Sequence, residues 1–216
     1  MMQVEKQKMR EILACVPVMP VLTVHDAGVA ADLARALVEG GISVFEVLMR
    51  TPAAAEAIRA MVRAAPEARI GAGTLLRPDD VARAVDAGAA FGVAPGLTET
   101  LARAVNAAGL PFLPGVSTAS EVIAAMEQGF FEQKLFPAHG GAGITWLQSM
   151  AGVFPAVTFC PTGGIKVADV PGYLALPNCG TIGCSWVAPA DLVQARDWPA
   201  IAGLARQAAA MTGARA

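Results

Sequence analysis

Charge is scarce in this sequence. Only 16% of its 216 residues are Asp, Glu, Lys or Arg, and the formal net charge is −2. No basic cluster stands out, which argues against an extended nucleic-acid or membrane surface. Lysine occurs four times, histidine twice and tyrosine once. Cys15, Cys160, Cys179 and Cys184 form no CxxC pair and have no histidine at metal-ligand spacing. They read as buried, reduced thiols of a cytoplasmic protein. No apolar run reaches the ~18 residues that suggest a membrane span. The run "ILACVPVMPVLTV" follows Lys6, Lys8 and Arg10 as a leader would, but Glu5 and Glu11 interrupt the positive region and Pro17 and Pro20 break the run.

What is abundant is apolar side chain, 55% of the chain, enough for a large core. Residues 1–216 read as one domain with a polar N-terminal segment at about 1–15. Eight short apolar runs follow: 16–24, 42–49, 68–73, 89–94, 110–116, 130–136, 156–160 and 179–187. Between them lie alanine-rich amphipathic segments with helix signals. Asp26 is placed to cap one, Gly40 to end it, and Thr118 with Glu121 spells a capping box. Strands alternating with helices imply a parallel sheet, because each parallel connection needs a crossover. Eight units close most simply into a (β/α)8 TIM barrel, though ~250 residues is more usual for that fold. The competing open sheet lacks its fingerprint: "GAGTLL" has Gly71 and Gly73 but no third glycine.

In a barrel, chemistry gathers where strands end. Lys134 sits inside the apolar run "FFEQKLF", where desolvation disfavours its ammonium form. It is either half of a buried ion pair with Glu46 or Glu132, or an amine kept nucleophilic for imine formation with a ketone. Glu132 shares its face but lies toward the barrel floor, a structural place. Along "FEVLMRT", Glu46, Leu48 and Arg50 share one face, an acid below and a guanidinium nearer the mouth. Thr74 ends "GAGT" and is either a helix cap or turn former or, with Arg50 nearby, a ligand for one oxygen of a small carboxylate, while Pro95 in "VAPG" shapes the wall of the mouth. "CPTGGIK" and "IGCSW" follow the seventh and eighth runs, where many barrels hold phosphate on backbone N–H groups. Gly163 and Gly164 permit close approach and Ser185 offers a hydroxyl. His25 and His139 read as turn and surface residues, and Trp146, Trp186 and Trp198 as packing groups. No metal and no cofactor is expected.

The ordered set "GGISVFEVLMRT", "GAGT", "APGLTE", "PGVSTASE", "KLFPA", "FCPTGGI" and "GCSWVAPAD" resembles the 2-keto-3-deoxy-6-phosphogluconate (KDPG) aldolases over residues 16 to 192. The resemblance implies a homotrimeric class I aldolase of the Entner–Doudoroff pathway, acting on a 2-keto acid sugar phosphate. It implies that Lys134 forms the Schiff base with pyruvate, Glu46 is the acid/base, and Arg50 and Thr74 hold the pyruvate carboxylate. Phe136 lines the pocket, and Gly163, Gly164 and Ser185 bind phosphate. Four departures are visible: Leu48-Met49 before the arginine, Ala94 before Pro95-Gly96, Cys184 for the second glycine of the GGSW motif, and the polar residues of the "AHGGAG" loop. A relative preferring 4-hydroxy-2-oxoglutarate or the galactonate analogue is the nearest alternative. A non-catalytic phosphate-binding barrel is the alternative of another class.

Overall fold

Each apolar run becomes a parallel strand in the computed structural model, whose described residues are 9–211. The segments are β1 Val18–Leu22, β2 Val44–Leu48, β3 Arg69–Gly73, β4 Phe91–Val93, β5 Phe112–Leu113, β6 Gly115–Val116, β7 Glu132–Leu135, β8 Thr158–Phe159 and β9 Ile182–Cys184. Eight runs give nine segments because Pro114, lacking an N–H, divides the fifth run into β5 and β6. Hydrogen-bonded order is β5-β4-β3-β2-β1-β9 and β6-β7-β8. Parallel bridges from Phe159 to Cys179 and from Thr162 to Gly183 tie β8 to the β9 run. The result is the expected (β/α)8 barrel, with eight rungs around the ring.

Helices bridge the parallel strands. In Ala30–Glu39, Leu33, Ala34 and Leu37 are buried, while Asp32 and Arg35 pair outside at 2.8 Å. Asp26 does cap this segment, but it caps the 3-10 turn Ala27–Val29 that leads into the helix, accepting from the Gly28 N–H. The box at the start of Ala119–Glu127 forms as its spelling predicts. Thr118 Oγ1 accepts from the Glu121 N–H, and Glu121 Oε2 accepts from the N–H groups of Ser117 and Thr118.

The Ser117 N–H foremost, with the Thr118 and Ser117 hydroxyls and the Thr118 N–H, holds the exposed Glu121 carboxyl below its ordinary value of 4.5, against the opposing effect of desolvation. A depressed folded-state pKa stabilises the fold above the unfolded value and ceases to do so as pH falls through the folded one. Glu121→Gln is therefore expected to melt below the wild type at pH 7, by about 0.5–1 kcal/mol for a solvent-exposed cap. The gap should close on acidification. A constant gap in melts run from neutral to acid pH would remove the carboxylate's charge from the account.

Two apolar layers hold the barrel. The outer one lies between strands and helices. The inner one fills the barrel with Met19, Val44, Phe91, Val93, Leu113 and Cys160, and is closed below by Met9, Ile12, Leu13 and Val16. Residues 9–14 are helical, so the later part of the segment expected to be polar supplies the barrel's floor; residues 1–8 lie outside the described residues. Arg10, on that floor helix, reaches the buried Glu132 carboxylate at 2.8 Å, which gives Glu132 the structural place expected of it.

Strand β3 shows how the interior makes room. A side chain at Gly71 would collide with the Phe91 ring, and one at Gly73 with the Glu46 carboxylate. The two glycines are inward barrel positions kept empty for larger groups from the neighbouring strands β4 and β2.

Candidate active site

Alternation along β2 turns Phe45 and Val47 to the outer layer and Val44 and Glu46 inward. Alternation along β7 does the same for Glu132 and Lys134. The two inward groups meet across the barrel: Lys134 Nζ lies 3.5 Å from Glu46 Oε1, with side chains 6% and 0% exposed. Since Arg10 occupies Glu132, Glu46 is the partner of the lysine. Glu46 Oε2 is buried and, among the described residues, has no hydrogen-bond partner. A buried acceptor left open in this way is costly.

Above the pair opens a cavity of about 700 Å³. Arg50, Lys134, Phe136, Gly163, Gly164 and Ser185 all line it. The Phe136 ring centre is 5.3 Å from Lys134 Nζ. Arg50 Nε donates to Thr74 Oγ1 at 2.9 Å, so Thr74 reaches the site through the guanidinium it orients. Thr74 itself has φ 63, a left-handed conformation that costs a β-branched residue energy and fits a position held for its side chain. Gly163 and Gly164 have φ 100 and 73, and their N–H groups donate to nothing among the described residues. Pro95 is half-buried and stands against Gly115, the register partner of Lys134, outside the cavity lining.

Several lining groups were not foreseen. Thr162 is buried at the end of the β8 run, its hydroxyl 3.4 Å from the Cys160 carbonyl; "CPTGGI" could have revealed it by the same end-of-strand rule. Trp186 was expected only to pack. It lines the cavity, and its buried indole N–H is unpartnered among the described residues. Trp146 does pack, edge-on to Phe159 at 5.4 Å.

The thiols divide differently from the expectation. Cys160, Cys179 and Cys184 are buried, but Cys15 is exposed just past the floor helix, where its Sγ contacts the Glu11 carbonyl. Burial pushes the Cys160 and Cys184 thiols up to about 12, far from reactive thiolates. Both histidines are exposed. Among the described residues no group of three His, Cys, Asp or Glu side chains could hold a metal, and no helix is long and apolar enough to cross a membrane.

A parallel barrel with a buried lysine–carboxylate pair under an arginine and two glycine loops defines a class: barrels equipped to hold an anionic oxo acid against an amine. Comparison with known proteins narrows the class. The family model for KDPG and KHG aldolases matches residues 9–204. The KHG/KDPG aldolase of Escherichia coli K12 is 46% identical over 203 residues, 94% of this chain and 95% of that protein. A Legionella pneumophila KDPG aldolase crystallised with pyruvate as a covalent carbinolamine is 38% identical over 94% of this chain and 98% of its own, with a TM-score of 0.90. The Zymomonas mobilis KDPG aldolase, solved with 3-phosphoglycerate, is 41% identical over 97% of this chain and 98% of its own, with a TM-score of 0.91. The chain belongs to the KDPG and KHG aldolase family.

Proposed function

We propose that this protein is a class I aldolase that cleaves 2-dehydro-3-deoxy-6-phosphogluconate to pyruvate and glyceraldehyde 3-phosphate. The observation that carries the reading is the Lys134–Glu46 pair at 3.5 Å, buried beneath a cavity with Arg50 on its wall. It is supported by relatives bearing that activity in their names, and by the covalent pyruvate adduct of the Legionella enzyme.

The chemistry follows from the positions. Lys134 Nζ, as the free amine, attacks the C2 ketone, and the carbinolamine loses water to give an iminium. Arg50, oriented by Thr74, holds the adjacent carboxylate. Glu46 accepts the C4 hydroxyl proton, the C3–C4 bond breaks, and its electrons move into the iminium. Glyceraldehyde 3-phosphate leaves. Glu46 then returns a proton to C3 of the enamine, and water hydrolyses the pyruvate imine to release pyruvate and the amine. A well-placed acid/base contributes ~10²–10⁴-fold to such a step, and fixing the enamine plane adds the advantage of orientation. Phe136 walls the amine, and the Gly163, Gly164 and Ser185 loops receive the phosphate. Pro95 acts on the wall indirectly, by its contact with Gly115 beside Lys134.

The reading carries with it a single-domain chain assembled as a cytoplasmic homotrimer, as the family resemblance implies. The test is borohydride reduction with pyruvate, followed by a kinetic panel of the phosphogluconate substrate, its galactonate analogue and 4-hydroxy-2-oxoglutarate. An adduct with preference for the gluconate substrate is expected. Preference for 4-hydroxy-2-oxoglutarate would reassign the substrate, and no adduct at all would favour a binding barrel.

A further inference from the structure

The cavity wall is one-sided in charge. Arg50, Lys134 and Lys166 line it, and no aspartate or glutamate does. Two of these cations have work already: Lys134 faces Glu46, and Arg50 is bonded to Thr74. Lys166 has none. It follows Gly163-Gly164-Ile165, is exposed, and forms no ion pair among the described residues. Asp169, its nearest acidic neighbour in sequence, is held in place by the Lys166 backbone, whose N–H donates to Asp169 Oδ2 at 3.0 Å.

The neighbouring loop of the same cavity, whose strand end is bridged to this one through Thr162 and Gly183, bears on the need for such a charge. Cys184 stands where a second glycine would leave the loop open. It lines the cavity beside Ser185 and Trp186. The Gly163 and Gly164 N–H groups, the Ser185 hydroxyl and the Trp186 indole N–H are neutral donors on this wall. A phosphate monoester carries close to two negative charges at neutral pH, and neutral donors bind it less strongly than a charged one added to them.

We propose that Lys166 is the charged ligand of the substrate's distal phosphate and sets the preference for phosphorylated over unphosphorylated sugar acids. The proposal rests on the aldolase reading for its substrate, but the anion site it describes can be measured without catalysis. Lys166 and Arg50 then hold the two anionic ends of one substrate, with the Lys134 amine beside the carbon that reacts.

Calorimetric titration with inorganic phosphate reads the site directly. Lys166→Gln should bind phosphate about tenfold more weakly than wild type, and Lys166→Arg should recover most of the loss. Added salt should weaken wild-type binding more steeply than it weakens the glutamine variant. In turnover, the ratio of kcat/KM for the phosphorylated substrate to that for its dephosphorylated counterpart should fall about tenfold in Lys166→Gln, through KM. Equal phosphate affinities, or an unmoved ratio, would overturn the assignment. If the wild type traps no pyruvate, the aldolase reading falls, while the phosphate titration still decides Lys166.

Discussion

Lys134→Met is expected to abolish borohydride trapping of pyruvate and to lower kcat by ~10⁴-fold or more, since it removes the covalent route itself. Methionine approximates the lysine stem without the amine, so the pocket stays filled. It also leaves the Glu46 carboxylate, fully buried, without its cation. Breaking a buried pair in this way costs roughly 3–5 kcal/mol when the remaining charge persists, and a lost activity could then be mistaken for a lost fold. Lys134→Arg separates the two. Guanidinium keeps the positive charge beside Glu46 but is not a nucleophile. Both variants should fail to trap pyruvate, and only the methionine variant should melt markedly earlier. Peptide mapping of the wild-type adduct completes the test, because Lys166 lines the same cavity. An adduct on Lys166, or trapping that survives in Lys134→Arg, would sink the assignment.

How far these residues could be read in advance depends on what kind of information placed them. Alternation along "FEVLMRT" and "FFEQKLF" was enough to put Glu46 and Lys134 on inward faces, because strand periodicity is local. Which acid meets the lysine was not local. Glu132 is two residues away on the same strand and Glu46 is 88 residues away, yet the distant one is the partner, since the floor helix brings Arg10 to Glu132. Periodicity does not reveal that helix, because "MREILA" has too few turns for its apolar side to show above the charges around it. The glycines of "GAGT" read in sequence as an incomplete dinucleotide fingerprint, whereas in the fold they are vacancies for Phe91 and Glu46. A vacancy has no signature in its own segment; it is defined by side chains on neighbouring strands. Thr162 and Trp186 were missed for the opposite reason. Both stand just past strand ends whose glycines are the stronger local signal, Thr162 before Gly163-Gly164 and Trp186 two residues after β9.

Glu46→Gln is expected to lower kcat by ~10²–10⁴-fold while leaving pyruvate imine formation able to proceed. Glutamine preserves the shape that Gly73 makes room for, and its amide can still meet the lysine across the barrel. What it removes is the capacity to take a proton and return it. Two steps of the proposed cycle need that capacity: cleavage of the C3–C4 bond, and proton transfer at C3 of the pyruvate enamine. The second can be followed alone, as exchange of pyruvate methyl protons for deuterium in the absence of any aldehyde. Exchange and cleavage should therefore fall together, by similar factors, and borohydride trapping should fall far less. The open Oε2 atom is the physical basis for this expectation, since Oε1 faces the amine and leaves the second oxygen for the proton in transit. Equal losses in trapping, exchange and cleavage would make Glu46 a partner that positions Lys134, with the base to be sought elsewhere in the cavity.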